Sequence, residues 1–335
     1  MIKVGVMGAA GYTGGELLRL IINHPSVEIA FAHSNSSAGK KVYEVHQDLL
    51  GDTELEFASD FHDNIDVLFL CVGHGDAKKF LLEQADFVNS LGNKTKIIDL
   101  STDFRHHENS LLKVSNQELN FVYGLPELNR EAIKSGNFHI ANPGCFATCI
   151  QLGLLPLAKA GLLNSEIHTN AVTGSTGAGQ KPVSTTHFSW RANNLSVYKA
   201  FEHQHLKEIT ESIKQLQPNF DSAINFVPLR GDFARGIFAT QYIETSLSLA
   251  DAQSLYSAFY DQHPFTHLTS ENPDMKLVVN TNKCFIHLEK HGNKLMVLSM
   301  IDNLLKGASG QAVQNMNLLF GLPEDQGLRL KSIAF

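Results

Sequence analysis

Cysteine is scarce in this chain. Four residues in 335, Cys71, Cys145, Cys149 and Cys284, lack the spacing of a disulfide framework. That excludes a disulfide-stapled secreted scaffold and fits a reducing compartment, so a cytoplasmic location is expected. No apolar run reaches the roughly 18–20 residues of a membrane span, and no basic leader with a long apolar core opens the sequence. Like charges do not cluster either. The 27 basic and 34 acidic residues leave a net charge of −7 without a block of one sign, which argues against nucleic acid or an anionic membrane as partner. Repeats and low-complexity tracts are also missing. A hydrophobic share of 43% and a mean hydropathy of −0.10 describe an ordinary globular protein, long enough for two domains.

The first half alternates strand and helix. Residues 2–7 read as a buried strand, 15–23 as a helix with Leu17, Leu18, Leu20 and Ile21 apolar, and 27–32 as a second strand. Further strands are expected at 66–72 and 96–100, with a helix over 77–91 between them. This pattern predicts a doubly wound, Rossmann-like α/β domain. Its first turn is Gly8-Ala9-Ala10-Gly11-Tyr12-Thr13-Gly14. Glycines at this spacing let backbone approach a pyrophosphate at a helix N-terminus, so Gly8, Ala10, Gly11, Tyr12, Thr13 and Gly14 are candidate dinucleotide contacts. A glycine-rich turn without ligand is the plain alternative. The second strand ends without the Asp or Glu that would grip a ribose 2′-hydroxyl. Ser34, Ser36 and Lys40 suit a 2′-phosphate instead, which predicts NADP(H) over NAD(H).

The second half groups its strands, at 169–172, 223–227, 236–245, 275–279 and 294–301, with helices at 205–215 and 249–261. An α+β domain with a mostly antiparallel sheet is expected. The segment 307–320 reads as a helix, apolar on one side, that returns to the first domain. The expected domains are 1–144 with 312–335 for dinucleotide binding, and 145–311 for catalysis and oligomerisation.

Asn142-Pro143-Gly144-Cys145 is a tight turn before an apolar helical run, 149–163. Cys145 therefore falls where backbone N–H groups and the positive helix end favour a thiolate. A small buried hydrophobe is the other reading, and one stretch does not separate them. Cys71, Cys149 and Cys284 sit in apolar runs and are expected in the core. His203-Gln204-His205 offers a general base in His203 or His205. As metal ligands the pair lacks a Cys or carboxylate at metal spacing, so no metal is expected. Arg105 and Arg235 are candidate anion grips. A nucleophilic thiol with a nicotinamide points to thioester formation followed by reduction.

Ordered blocks along nearly the whole chain carry a resemblance. They include Gly8–Gly14, Asp99-Leu100-Ser101-Thr102-Asp103-Phe104-Arg105, Tyr123-Gly124-Leu125-Pro126-Glu127-Leu128 and Asn142-Pro143-Gly144-Cys145. Thr173-Gly174-Ser175-Thr176-Gly177-Ala178-Gly179, His203-Gln204-His205, Arg235-Gly236-Ile237 and the run from Asp302 through Lys306 and Gly310 to Asn315 complete them. In these the chain resembles the N-acetyl-gamma-glutamyl-phosphate reductase family of the aspartate-semialdehyde dehydrogenase-like superfamily. The resemblance implies NADPH-dependent reduction of N-acetyl-glutamyl 5-phosphate to the semialdehyde, with release of phosphate, in arginine biosynthesis. It implies Cys145 as nucleophile and the histidine block as acid/base. Arg105, Asn142, Ser175 and Arg235 fall on the substrate side, and Gly177, Gly310 and Asn315 on the cofactor side. A homodimer or homotetramer through the second domain is also implied. The family usually has Arg between the histidines and often Tyr after the cysteine; here these are Gln204 and Phe146. Reductases of aspartyl or aminoadipyl phosphate are the near alternative. Cofactor-free hydrolytic acyl transfer and a non-catalytic dinucleotide sensor are the distant ones.

Overall fold

β1 (Ile2–Met7), β2 (Val27–His33), β3 (Phe57–Ala58), β4 (Val67–Leu70), β5 (Lys96–Asp99), β6 (Leu111–Val114), β7 (Gln117–Tyr123) and β8 (His139–Ala141) make one sheet in the computed structural model, which describes residues 1–333. The strand order is β3-β2-β1-β4-β5-β8-β7-β6. Every pairing is parallel except the β6–β7 hairpin. Val4, Val6, Val67 to Leu70, Ile97 and Ile98 are all buried, as strands covered on both faces must be. The helix Tyr12–Ile21 buries Leu17, Leu18 and Ile21, each contributing roughly 1.5–3 kcal/mol. The strand order reverses at β1, between β2 and β4, and ligands bind beyond the carboxyl ends at such a point. The loops there are the turn after β1 and Gly73-His74-Gly75 after β4.

This first unit runs Met1–Pro143 and Ala308–Arg329. The second holds Gly144–Gly307 and the described residues after Arg329. The return thus comes at Ala308, ahead of the expected 312. The tail goes with the second unit, where the Asn280 amide donates to the Lys331 carbonyl at 3.1 Å. Residues 334 and 335 of the expected tail lie outside the described residues.

The second unit's sheet contains β9 (Ile167–Thr173), β10 (Ser196–Val197), β11 (Ile224–Arg230), β12 (Ile237–Glu244), β13 (Thr266–Thr269), β14 (Cys284–His291) and β15 (Lys294–Ile301). Their order is β10-β11-β9-β12-β15-β14-β13, parallel only at β11–β9 and β13–β14. The strand expected at 275–279 is instead a single 3-10 turn, Met275–Leu277. Asp274 directly follows Pro273, and its carboxylate accepts from the Lys276 N–H at 2.9 Å, which curls the chain. The helix expected over 77–91 is two, Asp76–Glu83 and Ala85–Leu91, parted by non-helical Gln84.

The central helix Cys145–Lys159 is buried at every position from Phe146 to Ala158. It carries Pro156, which has no N–H to give the Leu152 carbonyl one turn back. The Tyr260 hydroxyl donates to that carbonyl, and the Tyr256 hydroxyl donates to the neighbouring Gly153 carbonyl. Two tyrosines of the helix Leu249–Tyr260 thus repair the gap. Tyr260→Phe removes one oxygen only. It should lower the second unit's unfolding free energy by about 1–3 kcal/mol, the cost of stranding a buried acceptor. A urea midpoint equal to the parent's would show that the carbonyl is satisfied otherwise.

Candidate active site

The first unit forms a close backbone turn from its glycines. Gly8 has φ +74°, and a Cβ there would stand 2.4 Å from the Cys71 carbonyl oxygen. A Cβ on Gly14 would meet the Gly8 oxygen at 2.5 Å, whereas Gly11 has room, its nearest neighbour being at 3.5 Å. Gly8 and Gly14 are therefore needed by the backbone itself, and Gly11 leaves the surface open. No side chain caps the helix that starts at Tyr12, so its first N–H groups stay available to an anion. Of the residues expected at a 2′-phosphate, Ser34 and Ser36 bring their hydroxyls to 3.5 Å of each other beyond β2, and Lys40 is exposed nearby in sequence.

Asn315 is fully buried on the helix Gly310–Leu319, in the same unit. Its amide donates to the Gly124 carbonyl at 2.8 Å and to the Asn142 Oδ1 at 3.1 Å. Its own Oδ1 meets no donor among the described residues. Asn142 donates in turn to the Ala308 carbonyl at 3.0 Å. An orphaned buried acceptor and a glycine cradle are what a nicotinamide dinucleotide needs, so the residues present fit that group. Arg105 is buried and donates to the Asn142 and Leu100 carbonyls, both at 2.8 Å. Asp99, at the end of β5, accepts from the Ser101 backbone and hydroxyl, yet burial pushes its carboxyl up to about 7.

In the second unit two helices begin side by side. Cys145 is the first residue of one, and His205 opens the other, His205–Leu216. Their positive ends converge, which favours an anionic sulfur. Cys145 is half-buried, while Cys71, Cys149 and Cys284 are buried. Burial pushes Cys71 up to about 12 and Cys149 well above the ordinary thiol range. Gly144 presses against the His205 imidazole, where a Cβ would stand 2.3 Å from Nε2. The Gly144 N–H donates to Glu208 Oε2 at 3.0 Å, and Glu208 Oε1 lies 3.8 Å from His205 Nε2. Gly307 also packs close to Cys145, where a Cβ would stand only 2.9 Å from the Cys145 Cβ.

The two histidines take different parts. His203 Nδ1 accepts from the His205 backbone N–H at 3.2 Å, so its proton belongs on Nε2. Desolvation, helped by Lys199 and Arg230, lowers its pKa to about 4. His203 is thus a neutral prop and His205 is the candidate acid/base. Arg235 is held bidentately by buried Asp302, at 3.0 and 3.1 Å. Asp302 also accepts from the Asn280, Leu304 and Leu305 N–H groups. Arg235 therefore braces the chain before Gly307. The Ser175 and Thr176 N–H groups donate to the Phe233 and Ala234 carbonyls, and Gly177 lies exposed on the same loop. Gly177 thus belongs to the second unit, while the turn expected to hold the same cofactor is in the first. Sequence reading missed Glu208, although its i+3 spacing from His205 on a helix start was visible. Among the described residues no cluster of three or more His, Cys, Asp or Glu is placed for a metal.

The folded state keeps His203 neutral down to about pH 4. An unfolded chain takes up that proton near the ordinary histidine value, about 6.5. Acid between these limits therefore favours unfolding, and stability present above pH 6.5 drains away as pH falls toward 4. His203→Gln should flatten that slope in pH-dependent urea titrations. It should keep kcat within about tenfold, whereas His205→Gln should lose about 10²-fold or more, as for a deleted acid/base. Equal losses in the two variants would remove the distinction.

The profile described as "Semialdehyde dehydrogenase, NAD binding domain" matches residues 3–136. The one described as "Semialdehyde dehydrogenase, dimerisation domain" matches residues 145–303. A protein of Parabacteroides distasonis is 57% identical over 336 residues, covering 100% of both chains, and is named N-acetyl-gamma-glutamyl-phosphate reductase. A protein of Christiangramia forsetii with the same name is 58% identical over 335 residues, again over 100% of both. Among solved structures, aspartate semialdehyde dehydrogenase II from Vibrio cholerae superposes with a TM-score of 0.73 at 16% identity, over 96% of this chain and 99% of that one. The aspartate semialdehyde dehydrogenase with NADP from Candida albicans gives 0.67 at 15% identity, over 96% and 99%. These two share the fold. With full-length identity above half to such relatives, the chain belongs to the N-acetyl-gamma-glutamyl-phosphate reductase family of semialdehyde-dehydrogenase-type oxidoreductases.

Proposed function

We propose that this enzyme reduces N-acetyl-L-glutamyl 5-phosphate to N-acetyl-L-glutamate 5-semialdehyde with NADPH, releasing phosphate, as a step of arginine biosynthesis. The observation that carries the chemistry is the half-buried Cys145 at a helix start, next to a glycine seated on the His205 imidazole. The relatives' shared name supports the substrate.

His205 takes the Cys145 thiol proton, and the thiolate attacks the acyl-phosphate carbon. The carbon–oxygen bond to phosphate breaks, and His205 gives its proton to the departing phosphate. An acyl group is then held on Cys145 as a thioester. NADPH, when bound, supplies the hydride that brings this acyl carbon to the aldehyde level. First-turn N–H groups of the Cys145 helix stabilise the oxyanion that results. Its collapse expels the Cys145 thiolate, which takes back a proton through His205, so one proton is consumed overall. Glu208 orients His205 and steadies its charged form. Gly8, Ala10, Gly11, Tyr12, Thr13 and Gly14 would hold the pyrophosphate, and Ser34, Ser36 and Lys40 the 2′-phosphate. Gly177, Gly310 and Asn315 would border the nicotinamide. Arg105, Asn142, Ser175 and Arg235 complete the substrate side, directly or by bracing it.

We further propose a cytoplasmic homodimer or homotetramer built through the second unit. Among the described residues no helix is long and apolar enough to cross a membrane. The profile match to a dimerisation domain supports the assembly.

The test is phosphate-dependent NADP⁺ reduction with N-acetyl-glutamate 5-semialdehyde, run beside aspartate semialdehyde. Clear preference for the acetylated substrate is expected; preference for aspartate semialdehyde would sink the assignment. Cys145→Ser should bind NADPH as the parent does and lose activity by a factor on the order of 10³ or more. Activity within tenfold of the parent would refute a covalent role.

A further inference from the structure

β11 ends in Arg230, a half-buried cation that makes no ion pair among the described residues. Its guanidinium lies 4.6 Å over the Tyr198 ring. Its Nε is buried and meets no acceptor among the described residues. A stacked guanidinium withdrawn from water without a counter-charge is costly unless an anion completes it. The surroundings are those of the reaction centre. The Tyr198 and His203 rings are 5.9 Å apart, and His203 and His205 4.6 Å apart. Phe146, the residue after Cys145, sets its ring 5.4 Å from His203, and burial, with Cys145 adding to it, pushes the Tyr198 hydroxyl up to about 12.

The chain spends strain to put Tyr198 there. Asn193, Lys199 and Phe201 have φ of +53°, +46° and +61°, although none is glycine. Ser196 and Val197 pair with Arg230 and Leu229, and the Tyr198 N–H donates to the Pro228 carbonyl at 3.1 Å. Arg191, itself buried, donates to the Arg230 and Asn194 carbonyls at 2.6 and 3.3 Å. This heavily tied corner holds two guanidiniums: Arg191, satisfied by carbonyls, and Arg230, which makes no ion pair among the described residues.

We infer that Arg230, fixed by Tyr198, holds the α-carboxylate of the acyl-amino-acid substrate while Cys145 holds its acyl carbon. This rests on the reductase reading above. The two ends of that substrate are four covalent bonds apart, roughly 5 Å when extended. A flat carboxylate matches the guanidinium fork bidentately.

The test compares N-acetyl-glutamate 5-semialdehyde with 4-acetamidobutanal, the same aldehyde without its carboxylate, in the phosphorylating direction. Arg230→Gln should cut kcat/KM for the carboxylated substrate about 100-fold, as for a lost bidentate ionic pair, and change that for 4-acetamidobutanal less than threefold. The KM for phosphate should not move. Arg230→Lys keeps the charge without the fork and should show the same substrate-selective loss, smaller; it decides the matter if the Gln variant does not fold. Equal losses on both aldehydes would make Arg230 a support for Tyr198 only and overturn the inference. A rise confined to the phosphate KM would assign it to phosphate and also overturn it. A parent inactive on both aldehydes would instead fell the reductase reading, and this inference with it.

Discussion

A missing side chain sets the geometry of the candidate site. Gly144 lies flat against the His205 imidazole, and any Cβ would enter the ring, 2.3 Å from Nε2. The same residue's N–H is held by Glu208, which is buried and faces His205 Nε2. One residue therefore fixes the spacing between two helix starts, and with it the register of sulfur and imidazole. Gly307 repeats the device against Cys145 itself. Close packing leaves no slack for these contacts to drift.

The surrounding polar groups are organised by burial. Burial pushes the Cys71 and Cys149 thiols toward the neutral form, and of the four cysteines only Cys145 is not fully buried. Burial likewise holds His203 neutral, and its Nδ1 accepts from the His205 backbone N–H. Asp302 stays an acceptor of four partners, Arg235 and three backbone N–H groups, so the turn leading to Gly307 is rigid. An arginine with such a partner is structural in effect. Arg230, without one, is the contrasting case.

Much of this could be read from residue order. The glycine turn after β1, the apolar run after Cys145 and the alternation in the first half are local signals, and local signals survive without a fold. The hairpin β14–β15 was missed although Gly292-Asn293 marks its two-residue turn. Residues 275–279 carry the composition of a strand, but the Asp274 carboxylate on the Lys276 N–H turns the chain instead. Arg105 and Arg235 looked alike in sequence; the fold ties one to backbone carbonyls and the other to a buried carboxylate.

The sequence alone determined the fold class and the family, and it singled out the glycine turn and Cys145 as candidates, because each depends on spacing along a few residues. Tertiary structure alone decided which histidine is desolvated and which faces a buried carboxylate, which arginine lacks a counter-charge and why residue 144 carries no side chain. Those depend on desolvation and on approaches of a few ångströms between segments some sixty residues apart, such as Gly144 with Glu208. Chain order holds no measure of either until the fold is made.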